Sequence, residues 1–408
     1  MRPYNAPGQD RLAIWTGTSH CGFMLGYNGH HAGRFMPVKQ IRQAIIAILS
    51  ATLLFGLPES RIRAAEEGSS YSASDFLKVR KFDAHVHANT TDRTFLKLAR
   101  TDRFELLSIN VDYPDFPPLD VQAHVAQVLR AADPRRFHFA TTFSMKGWGS
   151  PGWAEHADAV IEAAVKHGAL AVKIWKNVGM VERDAHGKLV MIDDPGFDPV
   201  IARIVSLGVP LIAHQAEPYN CWLPLEQMTN DDDREYFREH PQYHMYLHPD
   251  QPSYEALMSA RDRFVARHPE LRFVGAHLAS LEWSVDRISA FLDAYPNANL
   301  DMAARMSALQ YQSVRDYDKV RRFFLRYADR LMYATDTSFN PDTDPAQFRK
   351  DTHDTWLSDW RYLATPDTQH VNSIHADVHG LALSRTVIDR IYYRNAKRIY
   401  TRQPPSPM

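Results

Sequence analysis

The chain has 408 residues, of which 45% are hydrophobic and 23% charged, and its formal net charge at pH 7 is −1. This composition is typical of a globular protein with one large α/β domain or two smaller ones. Because basic residues are not in surplus, we expect a small-molecule partner rather than nucleic acid. Cys21 and Cys221 are the only cysteines, which excludes a disulfide framework and a cysteine-based zinc site.

The sequence before residue 80 has a different character. Met36 is followed by the basic residues Lys39 and Arg42 and then by an apolar run at 44–57, a pattern typical of a signal peptide and too short to span a membrane. We therefore expect translation to start at Met36 and the product to be exported, periplasmic or secreted, with no membrane partner in its mature form. The alternative is an apolar N-terminal helix packed on the domain. The predicted division is an upstream extension at 1–35, a signal peptide at 36–65, a linker at 66–78 and a barrel domain at 79–402.

Beyond the linker, apolar runs of strand length alternate with segments of helical periodicity. The predicted strands lie near residues 79–87, 105–111, 136–143, 170–176, 209–215, 272–278, 297–303 and 330–336. The predicted helices include 120–132, 152–167, 254–268, 282–294, 314–328 and 386–400. This alternation predicts an α/β fold, a (β/α)8 TIM barrel with a long loop inserted after strand 5. A doubly wound open sheet is the alternative.

Two histidines one residue apart, His85 and His87, lie at the end of the first predicted strand. On a strand, residues i and i+2 share a face, so both imidazoles are expected at a separation that suits a metal ion. Surface or core histidines are the plainer explanation of an isolated pair. However, His214, His277 and Asp336 end later predicted strands, and the strand ends of a barrel meet at one mouth.

The order and spacing of these residues, together with the closing segment Tyr393-Arg394-Asn395-Ala396, resemble the metal-dependent amidohydrolase superfamily. The likeness covers the whole predicted barrel and is strongest to the amidohydrolase-related branch that includes aminocarboxymuconate semialdehyde decarboxylase-like enzymes. One metal ion is usual in that branch. The resemblance implies that His277 acts on the substrate and that the metal is bound by His85, His87, His214 and Asp336.

Neutral imidazoles and a carboxylate suit a divalent ion, most often Zn²⁺, that keeps an open position for water. Water bound there reaches a pKa of about 7 and provides hydroxide at neutral pH. Asp336 would accept the proton of this water and return it to the leaving group as general acid. His277 would polarise a carbonyl or stabilise the oxyanion.

Lys173 ends the fourth predicted strand and leaves the number of metal ions open. In binuclear relatives a lysine at this place is carboxylated and bridges two ions, which would make Lys173 a further ligand. Burial and a nearby metal charge would favour the deprotonated amine that carboxylation requires. Substrate binding and plain structural pairing are equally open for Lys173.

The long segment after strand 5, residues 214–248, is expected to lie over the site as a functional loop. Its aromatic side chains would line a substrate pocket, or would only pack the loop onto the barrel rim. Glu217 would orient His214. Arg305 would bind a substrate carboxylate and Asp301 would hold a ligand in place, with a structural salt bridge as the plainer alternative for both. The candidate substrate-binding residues are Lys173, Trp175, Glu217, Tyr219, Trp222 and Arg305.

The stretch from Gly147 to Gly152 matches the pattern G-x-G-x-x-G. The acidic residue that a dinucleotide site needs about 20 residues later does not follow, so we predict a turn there.

These observations predict a metal-dependent hydrolase that cleaves the C–N or C–O bond of a small amide, lactone or ester. Non-oxidative decarboxylation of a small carboxylic acid is the alternative on the same metal site. From a different class of protein, a non-catalytic exported barrel that binds a metal or a ligand is the second alternative. The sequence leaves a homo-oligomer open.

Overall fold

In a computed structural model of the chain, residues 68–113 and 116–401 are described. The predicted upstream extension at 1–35 and signal peptide at 36–65 lie outside the described residues and stay predictions. Within the described ranges, no helix combines the length and the apolar character that a membrane crossing requires.

A single sheet of nine parallel strands forms the centre of the fold. Its strands are β1 (Lys81–Ala88), β2 (Phe104–Ile109), β3 (Phe137–Thr141), β4 (Ala171–Ile174), β5 (Leu211–Ala213), β6 (Phe273–Gly275), β7 (Ala298–Asp301), β8 (Leu331–Met332) and β9 (Thr337–Phe339). All eight predicted strands are present, and β1 to β8 pair in sequence order. A separate antiparallel pair, β10 (Thr368–Val371) and β11 (Ala376–His379), was not predicted.

The segment that contains β8 and β9 closes the ring of strands. β8 pairs with β7, and β9 pairs with β1. Between them, the N–H of Ala84 donates to the carbonyl of Tyr333 at 3.0 Å, and the N–H of Asp336 donates to the carbonyl of His85 at 2.8 Å. β1 therefore has a hydrogen-bonded neighbour on each side, which confirms the predicted (β/α)8 barrel.

Helices cover the outside of the ring, and one more lies in the insertion after β5. They are α1 (Thr94–Thr101), α2 (Leu119–Ala132), α3 (Trp153–Lys166), α4 (Asp198–Ser206), α5 (Asp231–Glu239), α6 (Tyr254–Arg267), α7 (Val285–Ala294), α8 (Met306–Arg315), α9 (Tyr317–Arg326), α10 (Pro345–Ala364), α11 (Arg385–Asp389) and α12 (Asn395–Ile399). A π-helical turn, Arg390–Arg394, joins the last two. Residues 147–152 lie in turns, as predicted.

The predicted helix 314–328 is wrong in its extent, because the chain breaks at Asp316 into α8 and α9. A carboxylate oxygen of Asp316 accepts the N–H of Lys319 at 3.0 Å and so caps the start of α9. This side chain satisfies a backbone donor that a helix start leaves free.

The insertion after β5 is present, but it is folded rather than a plain loop. It contains α5 and four 3₁₀ turns, which are Tyr219–Trp222, Leu225–Gln227, Pro241–Tyr243 and Met245–Leu247. Asn230 caps α5 by accepting the N–H of Asp233 at 2.8 Å. Buried Cys221, Met228 and Phe237 pack together beneath these turns.

The described part of the predicted linker, residues 68–78, packs on the barrel. Phe76 is buried, and Nε1–H of Trp360 on α10 donates to the carbonyl of Ser72 at 3.0 Å. This segment is therefore attached to the barrel by apolar packing and by a hydrogen bond.

A buried acid, Asp83, joins β1 to the closing segment and to α10. One oxygen accepts the hydroxyl of Thr335 at 2.7 Å and Nε1–H of Trp356 at 2.9 Å. The other oxygen accepts the backbone N–H of Thr335 at 3.1 Å. Burial raises the pKa of Asp83 to about 7, because a charge far from water is disfavoured.

Replacing Thr335 by Val should lower the free energy of unfolding by roughly 1–3 kcal/mol, because the buried carboxyl of Asp83 would lose a hydrogen bond while the shape of the side chain is kept. Chemical denaturation followed by circular dichroism measures the difference. Thr386→Val, at an exposed position on α11, is the matched control. Equal unfolding midpoints for the two variants would contradict the assigned role.

Asp359 on α10 gives the fold a pH dependence. It is buried and accepts the hydroxyl of Tyr333 at 2.8 Å, and burial raises its pKa from 3.8 to about 7. Between these two values the folded state binds more protons than the unfolded state, so stability from this group is lost as pH rises towards 7. Asp359→Asn should flatten the fall in unfolding free energy between pH 4.5 and about pH 7. An unchanged slope in denaturation curves across this window would refute the assignment.

Candidate active site

A bulge in β1 aims the two predicted histidines into the mouth of the barrel. Phe82 and Ala84 pack inside the barrel, whereas Val86 packs against the helices outside. The alternation of faces therefore breaks after Ala84, and the pairing of β1 with β2 shifts register at the same place. Strict alternation from Phe82 would turn His85 and His87 outward. The extra residue turns both inward, which is a common use of a bulge beside an active site.

Each of these two rings is held by the protein through one nitrogen and faces Asp336 through the other. Nδ1 of His85 lies 3.0 Å from Oδ2 of Asp301, and Nδ1 of His87 lies 2.8 Å from the carbonyl oxygen of Ile109. Their Nε2 atoms lie 3.3 Å and 3.1 Å from Oδ1 of Asp336. Metal-binding histidines are typically oriented in this way, with the second nitrogen bonded to a carboxylate or a backbone carbonyl.

Asp336 lies in the gap between β8 and β9. Its φ is 67°, a left-handed conformation that aspartate adopts more readily than most residues. The backbone N–H of Asp336 donates to His85, and Asp83 holds the preceding residue, Thr335, through its side chain and its backbone. The closing segment therefore positions the carboxylate of Asp336 directly over β1.

His277 begins an unusual turn after β6. His277, Leu278, Ala279 and Ser280 all have φ between 56° and 58°, which is a left-handed turn without glycine and costs about 1–2 kcal/mol per residue. The N–H of His277 donates to Oδ1 of Asp301 at 2.8 Å, and its Nδ1 lies 2.8 Å from the carbonyl oxygen of Ala303. A carbonyl can only accept, so Nδ1 carries the proton and Nε2 of the neutral ring offers a lone pair.

His214 follows β5 and lies next to His277. Nε2 of His214 lies 2.9 Å from the carbonyl oxygen of Ala216, so Nδ1 of the neutral ring is free to bind a metal. The ring centroids of His214 and His277 are 4.1 Å apart. The contact predicted between Glu217 and His214 is wrong, because Ala216 takes that position and Glu217 pairs with Lys176.

The structure brings together a set of donors that fits a divalent metal ion. Ligand atoms of His85, His277 and Asp336 all lie within 4.8 Å of one another. His87 contacts the same carboxylate oxygen of Asp336, and His214 packs beside His277. His277, which was predicted to act on the substrate, thus lies within the metal-compatible group.

Burial keeps the imidazoles in the form that binds a metal. It lowers the pKa of His85, His214 and His277, which favours their neutral state. For Asp336, burial opposes ionisation, but its proximity to His277 and His87 holds its pKa well below its usual range. The site therefore combines neutral nitrogen donors with an ionised carboxylate at neutral pH.

Lys173 on β4 is buried beside this group. Its Nζ atom has no hydrogen-bond partner among the residues that the structure describes. Burial lowers the pKa of Lys173 to about 8, while Asp301 and Asp336 act in the opposite direction. An unpartnered, partly deprotonated amine fits both open roles, carboxylation and contact with an anionic substrate, better than structural pairing.

Two of the predicted substrate-binding residues border the mouth. The ring of Trp175 lies 6.3 Å from that of His214 and 4.1 Å from that of Tyr113, measured between centroids. Arg305 follows β7 and lines a cleft beside the site. Trp175 and Arg305 thus remain candidates for contact with substrate.

Tyr219 and Trp222 pack the insertion onto the barrel rim. Tyr219 stacks on Trp283 with centroids 4.5 Å apart. Trp222 contacts Tyr254 edge-on and donates from Nε1 to the carbonyl of Pro252 at 3.3 Å. Tyr219 and Trp222 therefore pack the loop onto the barrel rim, the alternative to their predicted role in a substrate pocket.

Sequence reasoning missed two buried acids that shape the site, Asp83 and Glu282. Asp83 stands two residues before His85, a spacing that places it on the same strand and was available as a signal. Glu282 lies beyond the left-handed turn, and no local pattern marks it.

Comparison with known proteins identifies the family. The family model described as amidohydrolase matches residues 142–402, which is more than half of the chain and begins directly after β3. The chain therefore belongs to the amidohydrolase family and is an enzyme that acts on a small molecule. No protein with a curated description matches the sequence.

Several solved structures are similar to the chain. An uncharacterized TIM-barrel protein from Bordetella bronchiseptica is 14% identical with a TM-score of 0.48, and the match covers 79% of this chain and 98% of that one. A 2,6-dihydroxybenzoate decarboxylase from Rhizobium is 16% identical with a TM-score of 0.46, over 79% and 98%. A 4-oxalomesaconate hydratase from Rhodopseudomonas palustris is 12% identical with a TM-score of 0.41, over 78% and 95%.

Gly275 makes room for the left-handed turn. A Cβ at this position would lie 2.5 Å from Cβ of Ala279 and 2.8 Å from Cδ2 of Leu300. Gly275→Ala should therefore displace His277 and lower the free energy of unfolding by about 1–3 kcal/mol, as measured by chemical denaturation.

The double variant Gly275→Ala/Ala279→Gly tests the cause. It removes the nearer of the two clashes and places glycine at a positive φ, where it is favoured. Recovery of part of the lost stability is expected. A double variant no better than Gly275→Ala would show that the clash with Ala279 is not responsible.

Proposed function

We propose that this protein is a metal-dependent hydrolase that cleaves the C–N or C–O bond of a small amide, lactone or ester. One observation carries the proposal. The Nε2 atoms of His85 and His87 lie 3.3 Å and 3.1 Å from the same oxygen of Asp336, although the Nδ1–H groups of both rings are engaged elsewhere. For neutral rings these are contacts between lone pairs, which repel each other unless a cation lies between them.

The separations agree with a shared ion. Ligands about 2.1 Å from a tetrahedral centre are about 3.4 Å apart. We assign one ion, Zn²⁺, to His85, His87, His214 and Asp336. Such an ion would supply Lewis-acid activation of water and of the scissile carbonyl.

The chain's own residues would move the protons. Asp336 is ionised, so it can accept the proton of the attacking water and return it to the leaving group. His277 presents a lone pair at Nε2, so its neutral ring can also take up a proton. The role first predicted for His277, polarising a carbonyl, requires the protonated ring.

Decarboxylation is the second candidate, and a specific observation favours it. Two cationic side chains at the mouth, Lys173 and Arg305, each have a buried nitrogen without a hydrogen-bond partner among the described residues. Cations left unpaired in this way suit a substrate carboxylate. Product analysis separates the reactions, since carbon dioxide is released by a decarboxylase and an amine, alcohol or ring-opened acid by a hydrolase.

Metal content tests the ligand assignment. His85→Ala and Asp336→Asn should weaken zinc binding tenfold or more, since each removes a direct ligand, as measured by elemental analysis after dialysis. His277→Asn should keep the metal and lose about 10²–10³-fold in turnover of a panel of small esters, lactones and amides.

His370→Ala, at an exposed position on β10, is the matched control and should keep both the zinc content and the turnover of the unmodified protein. Full zinc content in His85→Ala and Asp336→Asn would refute the proposed site. Loss of zinc in His277→Asn would make His277 a ligand and remove its assigned role. The ratio of zinc to protein in the unmodified enzyme also tests the assignment of one ion, because two ions would require a bridging Lys173.

A further inference from the structure

A cleft of about 490 Å³, including its opening to solvent, lies beside the metal-binding residues. Its walls come from the segments that follow three consecutive strands. Asn220 and Asp233 lie in the insertion after β5, Glu282 follows the turn after β6, and Arg305 follows β7. All these segments leave the carboxyl ends of their strands, where a barrel binds its substrate.

Two chain segments, those after β6 and β7, connect the residues of the cleft to His277 in the metal-binding group. Arg305 stands two residues after Ala303, whose carbonyl oxygen lies 2.8 Å from Nδ1 of His277. Glu282 stands five residues after His277, just beyond the left-handed turn. A small molecule that reaches His277 from this side would therefore extend between Glu282 and Arg305.

Two polar side chains of the cleft wall each have one buried atom without a hydrogen-bond partner among the described residues. Glu282 is 3% exposed, and only one of its carboxylate oxygens is satisfied, by the N–H of Tyr219 at 2.6 Å. Its Oε2 atom and Nε of Arg305 have no hydrogen-bond partner among the described residues. Buried polar atoms in native proteins are nearly always hydrogen-bonded, so these two point to a ligand that supplies a donor and an acceptor.

The charge of the cleft indicates which kind of ligand fits. Among the described residues that line the cleft, three carboxylates, those of Asp232, Asp233 and Glu282, accompany one guanidinium, that of Arg305. Asp233 already accepts side-chain N–H groups from Asn220 and Asn230 at 2.8 Å and 2.9 Å. The surplus of carboxylates favours a cation near Glu282, while Arg305 requires an acceptor.

We propose that this cleft binds the non-reacting end of the substrate and selects an amino-acid-type end, with the ammonium group at Glu282 and the carboxylate at Arg305. The inference rests on the proposed function, because it assigns the cleft to the substrate of the same metal centre. Burial raises the pKa of Glu282 to about 7, with Arg305 acting in the opposite direction. An ammonium group beside Glu282 would further favour its ionised form.

Three matched probes test the selection on the full-length, zinc-loaded protein. β-Alanine carries both charges, propionate only the carboxylate and propylamine only the ammonium group. Isothermal titration calorimetry at pH 8 should show that β-alanine binds at least tenfold more tightly than either single-charge probe. Equal affinity of propionate and β-alanine would overturn the proposal, and this result needs no variant.

Variants then assign each charge to its residue. Glu282→Gln should reduce β-alanine binding about tenfold and leave propionate binding unchanged, because glutamine can still accept from Tyr219. Arg305→Met should weaken both β-alanine and propionate and leave propylamine unchanged. Glu226→Gln, an exposed carboxylate of the same insertion, is the control and should bind all three probes as the unmodified protein does. Unchanged β-alanine affinity in Glu282→Gln would contradict the assignment.

The zinc content of each sample separates this inference from the proposed function. Absence of zinc binding together with tight β-alanine binding would refute the metal centre and keep the cleft. Full zinc content without preference for β-alanine would refute the cleft and keep the metal centre.

Discussion

One extra residue in β1 decides where His85 and His87 point. Phe82 and Ala84 belong to the interior packing and Val86 to the outer layer, so a strand without the bulge would bury His85 and His87 against the helices. Inserting one residue into a strand moves every later side chain to the other face of the sheet. The bulge lies where the closing segment hydrogen-bonds to Ala84 and His85. The contacts that close the ring of strands therefore also fix the orientation of the two histidines.

A second carboxylate, that of Asp301, extends this arrangement across the barrel. One oxygen holds Nδ1 of His85 and the other accepts the N–H of His277, so β1, β6 and β7 are registered to one another through a single buried side chain. This contact also stabilises the left-handed turn that begins at His277. Backbone strain persists where the surroundings determine the conformation, and it is concentrated at functional sites.

Features that follow from local periodicity were predictable, whereas those set by contacts distant in sequence were not. The eight strands and His85, His87 and Asp336 follow from apolar runs that end in polar residues. The bulge leaves no mark in a sequence that alternates smoothly, and the turn at His277 lacks the glycine that would signal a positive φ. The break at Asp316 interrupts a continuous helical pattern, and Glu217 pairs with Lys176 instead of His214. Such partners depend on the packed fold.

The group of His85, His87 and Asp336 and the cleft are formed by different sets of strands. β1 and the closing segment supply His85, His87 and Asp336, and the backbone N–H of Asp336 donates to the carbonyl of His85. The segments after β5, β6 and β7 supply the cleft, and the long insertion is what brings Asn220 and Asp233 to the same wall as Glu282. Because loops on a rigid barrel tolerate change better than its strands do, the residues that line the cleft can vary within this architecture while the strand that carries His85 and His87 stays the same. Glu282 follows the left-handed turn that begins at His277 by two residues, so the position of this buried carboxylate depends on the same turn that positions His277.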